Sequence, residues 1–230
     1  MFNAIIHTND VGQMLAARER NITANYHGTL RSYARLKLHY DPIYATAAGL
    51  LVDADVPVLD IGCGIGLLGM YLHSRGFSRR YLGIDCDAAK IECARHSADE
   101  QGAALTFETR DAIVMPAFSG SVVLLDVLHY LDRERQRVLL RSAVRRVARG
   151  GVLVVRTALR EPFWRYRATR LEERLLHGCG WMRTPARHFP RREEIESVLG
   201  ELDMQVTIKP LWGHTPFASF LVVATHRPGK

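Results

Sequence analysis

The stretch Val56-Pro57-Val58-Leu59-Asp60-Ile61-Gly62-Cys63-Gly64-Ile65-Gly66-Leu67-Leu68-Gly69-Met70-Tyr71-Leu72 decides how this chain is organised. An apolar run reaches a carboxylate at Asp60, glycines alternate at 62, 64 and 66, and apolar residues then return at helical density. The order is a buried strand, a tight turn and a helix. Glycine lacks a Cβ and reaches positive φ without strain, so backbone at such a turn can close on a ligand. The helix that follows presents unpaired N–H groups at its start, which suit a polar or anionic group. A mononucleotide-like ligand fits this turn.

The pattern repeats downstream. Residues 81–85, 104–109, 121–126 and 152–156 read as short apolar strands, and 87–100 and 132–148 as helices, the first with Asp87 as N-cap and the second stopped at Gly150-Gly151. The run over 121–125 is too apolar for a half-exposed strand and needs cover on both faces. Strands alternating with helices specify a doubly wound, mostly parallel sheet. Upstream, 27–39 and 43–51 read as helices broken at Asp41-Pro42, an N-terminal helical cap. Downstream, 171–176 and 192–199 are helical pieces around a loop at 178–190, and 204–208 and 218–225 are strands whose connection suits antiparallel pairing. The expectation is an α/β fold with a seven-stranded sheet, antiparallel only at its last strand. It forms one domain over 1–230: cap at 1–52, ligand-binding core at 53–160, substrate-side helices and strand pair at 161–230.

With 47% hydrophobic and 24% charged residues, the composition is that of a globular chain, and no apolar run approaches a membrane span. Residues 1–7 lack the basic start and apolar core of a secretory signal, so a cytoplasmic location is expected. Cys63, Cys86, Cys93 and Cys179 show no CxxC spacing and read as free thiols; no metal site is expected. The formal charge of +7 is compatible with a nucleic-acid partner, an acidic protein partner or an arginine-rich composition, and the last is preferred. Oligomeric state is not legible.

Asp60, Asp85 and Asp126 each stand at the end of an expected strand, and an open α/β sheet binds its ligand outside the carboxyl ends of its strands. Asp85 follows the glycine turn at the distance where an acidic side chain accepts from a ribose diol. An adenosine-type cofactor is implied.

These residues resemble the class I S-adenosylmethionine-dependent methyltransferases. A dinucleotide-binding turn would carry glycine or alanine where Leu67 stands, which weakens a dehydrogenase reading. The resemblance implies that Gly62, Cys63, Gly64 and Gly66 line the methionine and ribose of S-adenosylmethionine, with Asp60 near its amino group and Asp85, followed by Cys86, at the ribose hydroxyls. It also implies that Asp111 and Ala112 meet the adenine, and that the segment Asp126-Val127-Leu128-His129-Tyr130 lies beneath the methionine and faces the acceptor.

Methyl transfer is an in-line displacement, so the protein mainly positions the nucleophile and excludes water. A hydroxyl nucleophile can need a base, and His129 and His214 are the candidates. Tyr26, Tyr33 and Tyr44 are candidates for an aromatic acceptor pocket, though such a stripe equally suits a core. The preferred reading is methylation of a small molecule on oxygen, a phenol or carboxylate, free or borne on an acidic carrier protein docked at 133–149, with the cap and residues 163–189 as lid. The alternatives are an RNA-modifying methyltransferase, for which no Asn-Pro-Pro-Tyr-type segment or suitable cysteine pair is present, a non-catalytic S-adenosylmethionine-binding protein, and a nicotinamide oxidoreductase.

Overall fold

Seven strands form one sheet in the order β3-β2-β1-β4-β5-β7-β6 in the computed structural model, which describes residues 8–161, 164–178, 184–213 and 215–227. The strands are β1 Val58–Ile61, β2 Tyr81–Asp85, β3 Leu105–Thr109, β4 Ser121–Leu125, β5 Leu153–Ala158, β6 Met204–Pro210 and β7 Ser219–His226. All run parallel except β7, which pairs antiparallel with both β5 and β6. This is the expected α/β sheet. Strand order reverses between β1 and β4, which places the crevice at their carboxyl ends.

Side chains alternate across the pleat and so divide the core in two. Val58, Tyr81, Val123 and Val154 face a layer made by α1 Thr8–Thr23, α2 Gly28–Tyr40, α3 Ile43–Ala54, α4 Leu67–Ser74 and α5 Ala88–Glu100. Leu59, Ile61, Leu82, Ile84, Val122, Leu124, Leu153 and Val155 face α6 Arg133–Val144 and α8 Arg192–Gly200. Each such fully buried side chain contributes about 1.5–3 kcal/mol. The remaining helix, α7 Trp164–Gly178, follows β5 and is longer than the 171–176 expected. Helix α6 ends earlier than expected because Val147 pairs with Gly120 as a parallel bridge, which requires extended backbone. Asp87 and Asp132 cap α5 and α6 by accepting from Ala89 N and Arg135 N. Among the described residues no helix is long and apolar enough to cross a membrane.

Two charged side chains interrupt the cap-facing layer. Arg156, 5% exposed on β5, donates to the carboxylates of Asp126, past the end of β4, and Asp41, in the break between α2 and α3. Lys37 reaches Asp41 as well, at 3.3 Å. Burial alone would raise the Asp41 carboxyl, but Arg156 and Lys37 hold it below its ordinary value. Asp60, in the interior of β1, has no such cation among the described residues: burial pushes its carboxyl up to about 7 despite the Tyr81 hydroxyl donating at 2.6 Å, and the charge of Asp85 adds to the rise.

Asp60 therefore carries a proton in the folded chain over a range where the unfolded chain has lost it. Stability should fall as pH rises from 3.8 to about 7 and level off above. The loss is on the order of 4 kcal/mol. Urea midpoints across that range should show this slope in the wild type, and Asp60→Asn should flatten it. Asp41, with its depressed value, acts separately, losing its contribution only as pH falls below 3.8.

Candidate functional site

The glycine loop between β1 and α4 is held from several directions. Gly62 N and Cys63 N donate to Ile84 O at 2.7 and 3.0 Å, and Gly66 N closes the turn on Cys63 O at 3.0 Å. Gly64 N donates to Asp85 Oδ2 at 2.9 Å. From the cap, the fully buried Tyr26 donates its hydroxyl to Ile65 O at 2.8 Å. The three glycines have φ of 75°, 56° and 79°, in the left-handed region.

Their surroundings separate their roles. A Cβ on Gly62 would stand 2.3 Å from Val127 Cγ2, and one on Gly66 2.8 Å from Phe107 Cζ and 2.9 Å from Ala94 Cβ. Those two glycines let protein pack against protein. A Cβ on Gly64 would meet no atom within 4 Å. Gly64 is the point where the loop opens onto free space at the carboxyl ends of the strands.

The strand-end carboxylates, alike in sequence, lie in three different settings. Asp60 is buried against Tyr81 in the cap-facing layer. Half-buried Asp85 takes Gly64 N on one oxygen and Asp87 N, at 2.8 Å, on the other. Each of its oxygens keeps a second lone pair, so it can still accept from a diol. Asp126 adopts φ 59°, rare for a residue with a side chain, and grips Arg156 with both oxygens. Asp111 is exposed; its carboxylate accepts from Ile113 N at 2.8 Å, and Ala112 beside it is half-buried. Arg110 N donates to Asp85 O at 2.9 Å, which keeps this segment against the end of β2. Burial pushes the thiols of Cys63 and Cys86 up, and nearby carboxylates push further, so both are protonated and non-nucleophilic near neutral pH.

On the other side of the loop, His129 lies in a short 3-10 turn, Leu128–Tyr130. Its ring is buried, stacked on Phe189 with centroids 5.6 Å apart and leaning on Tyr130 at 4.3 Å. Its carbonyl accepts from Arg187 N at 2.8 Å, and Gln136 ties the same strap down by donating to Leu128 O and His188 O. His214 and Cys179 lie outside the described residues, as do 163 and 179–183 of the expected lid. Tyr44 is buried near Tyr71, with rings 6.4 Å apart, and Tyr33 is half-buried against the same core. Arginines on and just past α6 are used within the chain: Arg133 on Glu194, Arg141 on Glu201, Arg146 on the carbonyls of Met115, Pro116 and Ser142. A groove of about 290 Å³ between α6 and α8, floored by Leu140, Ile195 and Val198, is a separate feature.

Residues 58–151, spanning the glycine loop and all three carboxylates, match the methyltransferase domain family. Over that segment the chain is similar to methyltransferase domains. The same architecture occurs in magnesium protoporphyrin IX methyltransferase from Synechocystis PCC 6803, solved with bound SAH, at 20% identity and TM-score 0.66 over 95% of each chain. An O-methyltransferase family 2 protein from Planctomyces limnophilus, in complex with apigenin, is 20% identical with TM-score 0.61 over 96% of this chain and 66% of that one. The neocarzinostatin-biosynthesis O-methyltransferase NcsB1 is 18% identical with TM-score 0.60 over 95% of this chain and 60% of its own. These likenesses show the class I methyltransferase fold. No curated protein matches the chain in sequence.

The roles of two residues at this site escaped the sequence reading, Tyr26 having been expected only in an acceptor pocket or a core. Arg156 had a signal, a lone charge in a strand otherwise apolar enough to be buried. Tyr26 had none, because its partner is a backbone carbonyl 39 positions away. The glycine environments predict unequal tolerance. Gly64→Ala should fold with a loss of about 1–2 kcal/mol from left-handed strain alone. Gly62→Ala must also displace Val127 and should cost more than about 3 kcal/mol, with partial rescue by Val127→Ala; thermal denaturation of the three variants checks this.

Proposed function

We propose that this S-adenosylmethionine-dependent methyltransferase acts on an oxygen of a small aromatic acceptor, a phenol or a carboxylate. The observation that carries the reading is the open side of Gly64, where a left-handed glycine borders free space although its neighbours in the motif are packed solid. The residues there fit the cofactor. Asp85 has lone pairs for the ribose hydroxyls, the Asp111 carboxylate and Ala112 N–H suit the adenine edge, and backbone at Gly62, Gly64 and Gly66 can approach the methionine portion. When bound, S-adenosylmethionine supplies a methyl group activated by its sulfonium charge.

The chain's own contribution is placement and exclusion of water. The cap is tied to the loop by Tyr26, to α5 by Gln101 donating to Asn21 O and Ile22 O, and to the sheet edge by Asp41 on Arg156. A roof fastened this closely favours a small acceptor over a nucleic acid. It also favours a free acceptor over a carrier-borne one, because Arg133, Arg141 and Arg146 are already engaged within the chain. The fold neighbours described with apigenin and with 2-hydroxy-5-methyl naphthoic acid support an aromatic hydroxyl or carboxyl acceptor. His129, stacked on Phe189, forms the acceptor-side wall and acts as a positioning residue.

Calorimetry should detect S-adenosylhomocysteine binding, and a panel of phenols, aromatic carboxylates and amines, read by mass spectrometry, should yield an O-methylated product. Binding without methylation of any member would sink the proposal. Asp85→Ala should weaken the binding about tenfold or more, through two lost charge-assisted bonds, and Gly64→Ala should weaken it comparably by placing a methyl in the crevice. His129→Phe should raise KM for the acceptor and leave the pH profile in shape; loss of the acidic limb with a fall in kcat of about 100-fold or more would make it the base instead.

A further inference from the structure

Helix α7 presents a stripe of large apolar side chains to solvent. Its inward face carries Thr169, 5% exposed and accepting from Ala218 N at 2.9 Å, and Tyr166, edge-on to Phe189 at 5.4 Å. Among its described side chains, three large apolar ones point out: Trp164, Leu171 and Leu175 are 60%, 59% and 65% exposed. Spaced i, i+7 and i+11, they fall in one narrow stripe along the helix. Arg167 and Arg174, also seven apart and exposed, run alongside it. A second exposed apolar pair, Leu36 and Tyr40, stands one turn apart on α2 next to exposed Arg35. The end of α2 meets the loop at 211–217, with Tyr40 O 3.5 Å from where Gly213 would carry a Cβ. Arg165 of α7 donates to Thr215 O in that same loop. The two apolar patches thus flank one loop.

We propose that α7 lies flat on an anionic lipid surface, with Trp164, Leu171 and Leu175 entering the headgroup boundary and Arg167 and Arg174 meeting lipid phosphates. Tryptophan and leucine in a stripe bordered by arginine match the chemistry of an in-plane interfacial helix. At about 22 Å, fifteen residues of helix are too short to cross a bilayer but ample to lie on one. A second copy of this chain is the weaker occupant, since two stripes packed antiparallel about a two-fold axis would bring the arginine rows of both copies to one rim. The formal charge of +7 adds long-range attraction to the same partner.

Flotation of the whole protein tests this. At low salt it should rise with vesicles of mixed phosphatidylcholine and phosphatidylglycerol, stay behind with phosphatidylcholine alone, and be released by salt. Leu171→Ser with Leu175→Ser, and separately Arg167→Glu with Arg174→Glu, should each weaken binding about tenfold or more while leaving the thermal midpoint in place, as expected for exposed side chains. Absence of flotation at low salt, or variants that float like the wild type, would overturn the proposal. So would a concentration-dependent dimer abolished by the serine pair without vesicle binding, which would give the stripe to a second copy. None of these readouts needs methyl transfer, so the lipid proposal and the reading of the reaction fail separately.

Discussion

The bond from Gly64 N to the Asp85 carboxylate joins the turn after β1 to the end of β2, and the geometry of the site follows from it. The turn needs left-handed backbone at three glycines, a conformation that must be held by bonds formed elsewhere. Asp85 holds it from the neighbouring strand, Ile84 O from beneath, and Tyr26 from the cap. With the loop braced on these sides, Gly64 is left as the one motif glycine whose missing side chain opens on space.

The second constraint is the buried guanidinium of Arg156. Removing a charge from water costs several kcal/mol, and only well-placed partners repay it. Here the partners come from the strand next door and from the break between two cap helices. The cap is therefore fixed over the carboxyl edge by a direction-dependent contact as well as by apolar packing, which specifies where the roof sits. Asp60 shows the contrasting case. Buried in the same layer with a hydroxyl partner and no cation among the described residues, it keeps its proton to about pH 7.

Much of this was legible in one dimension. Strand ends, the glycine turn, the Asp87 cap and the reversed last strand all depend on residues close in sequence, with periods of two or 3.6 that survive any tertiary context. What proved illegible was the difference between residues of the same kind. Asp60, Asp85 and Asp126 occupy similar places in the pattern, yet one is a protonated core group, one a loop brace and one a counter-ion. Those fates depend on Tyr81, Gly64 and Arg156, which arrive from other segments of the chain.

The sequence by itself determined the sheet, its mostly parallel order and the location of a ligand turn, because local periodicity and glycine's freedom at positive φ are properties of short segments. Tertiary structure alone decided which glycine faces the crevice, which carboxylate stays available to it, and which face of α7 meets solvent. Each of those depends on atoms brought near by folding: Val127 and Phe107 fill the space at Gly62 and Gly66, while nothing fills it at Gly64.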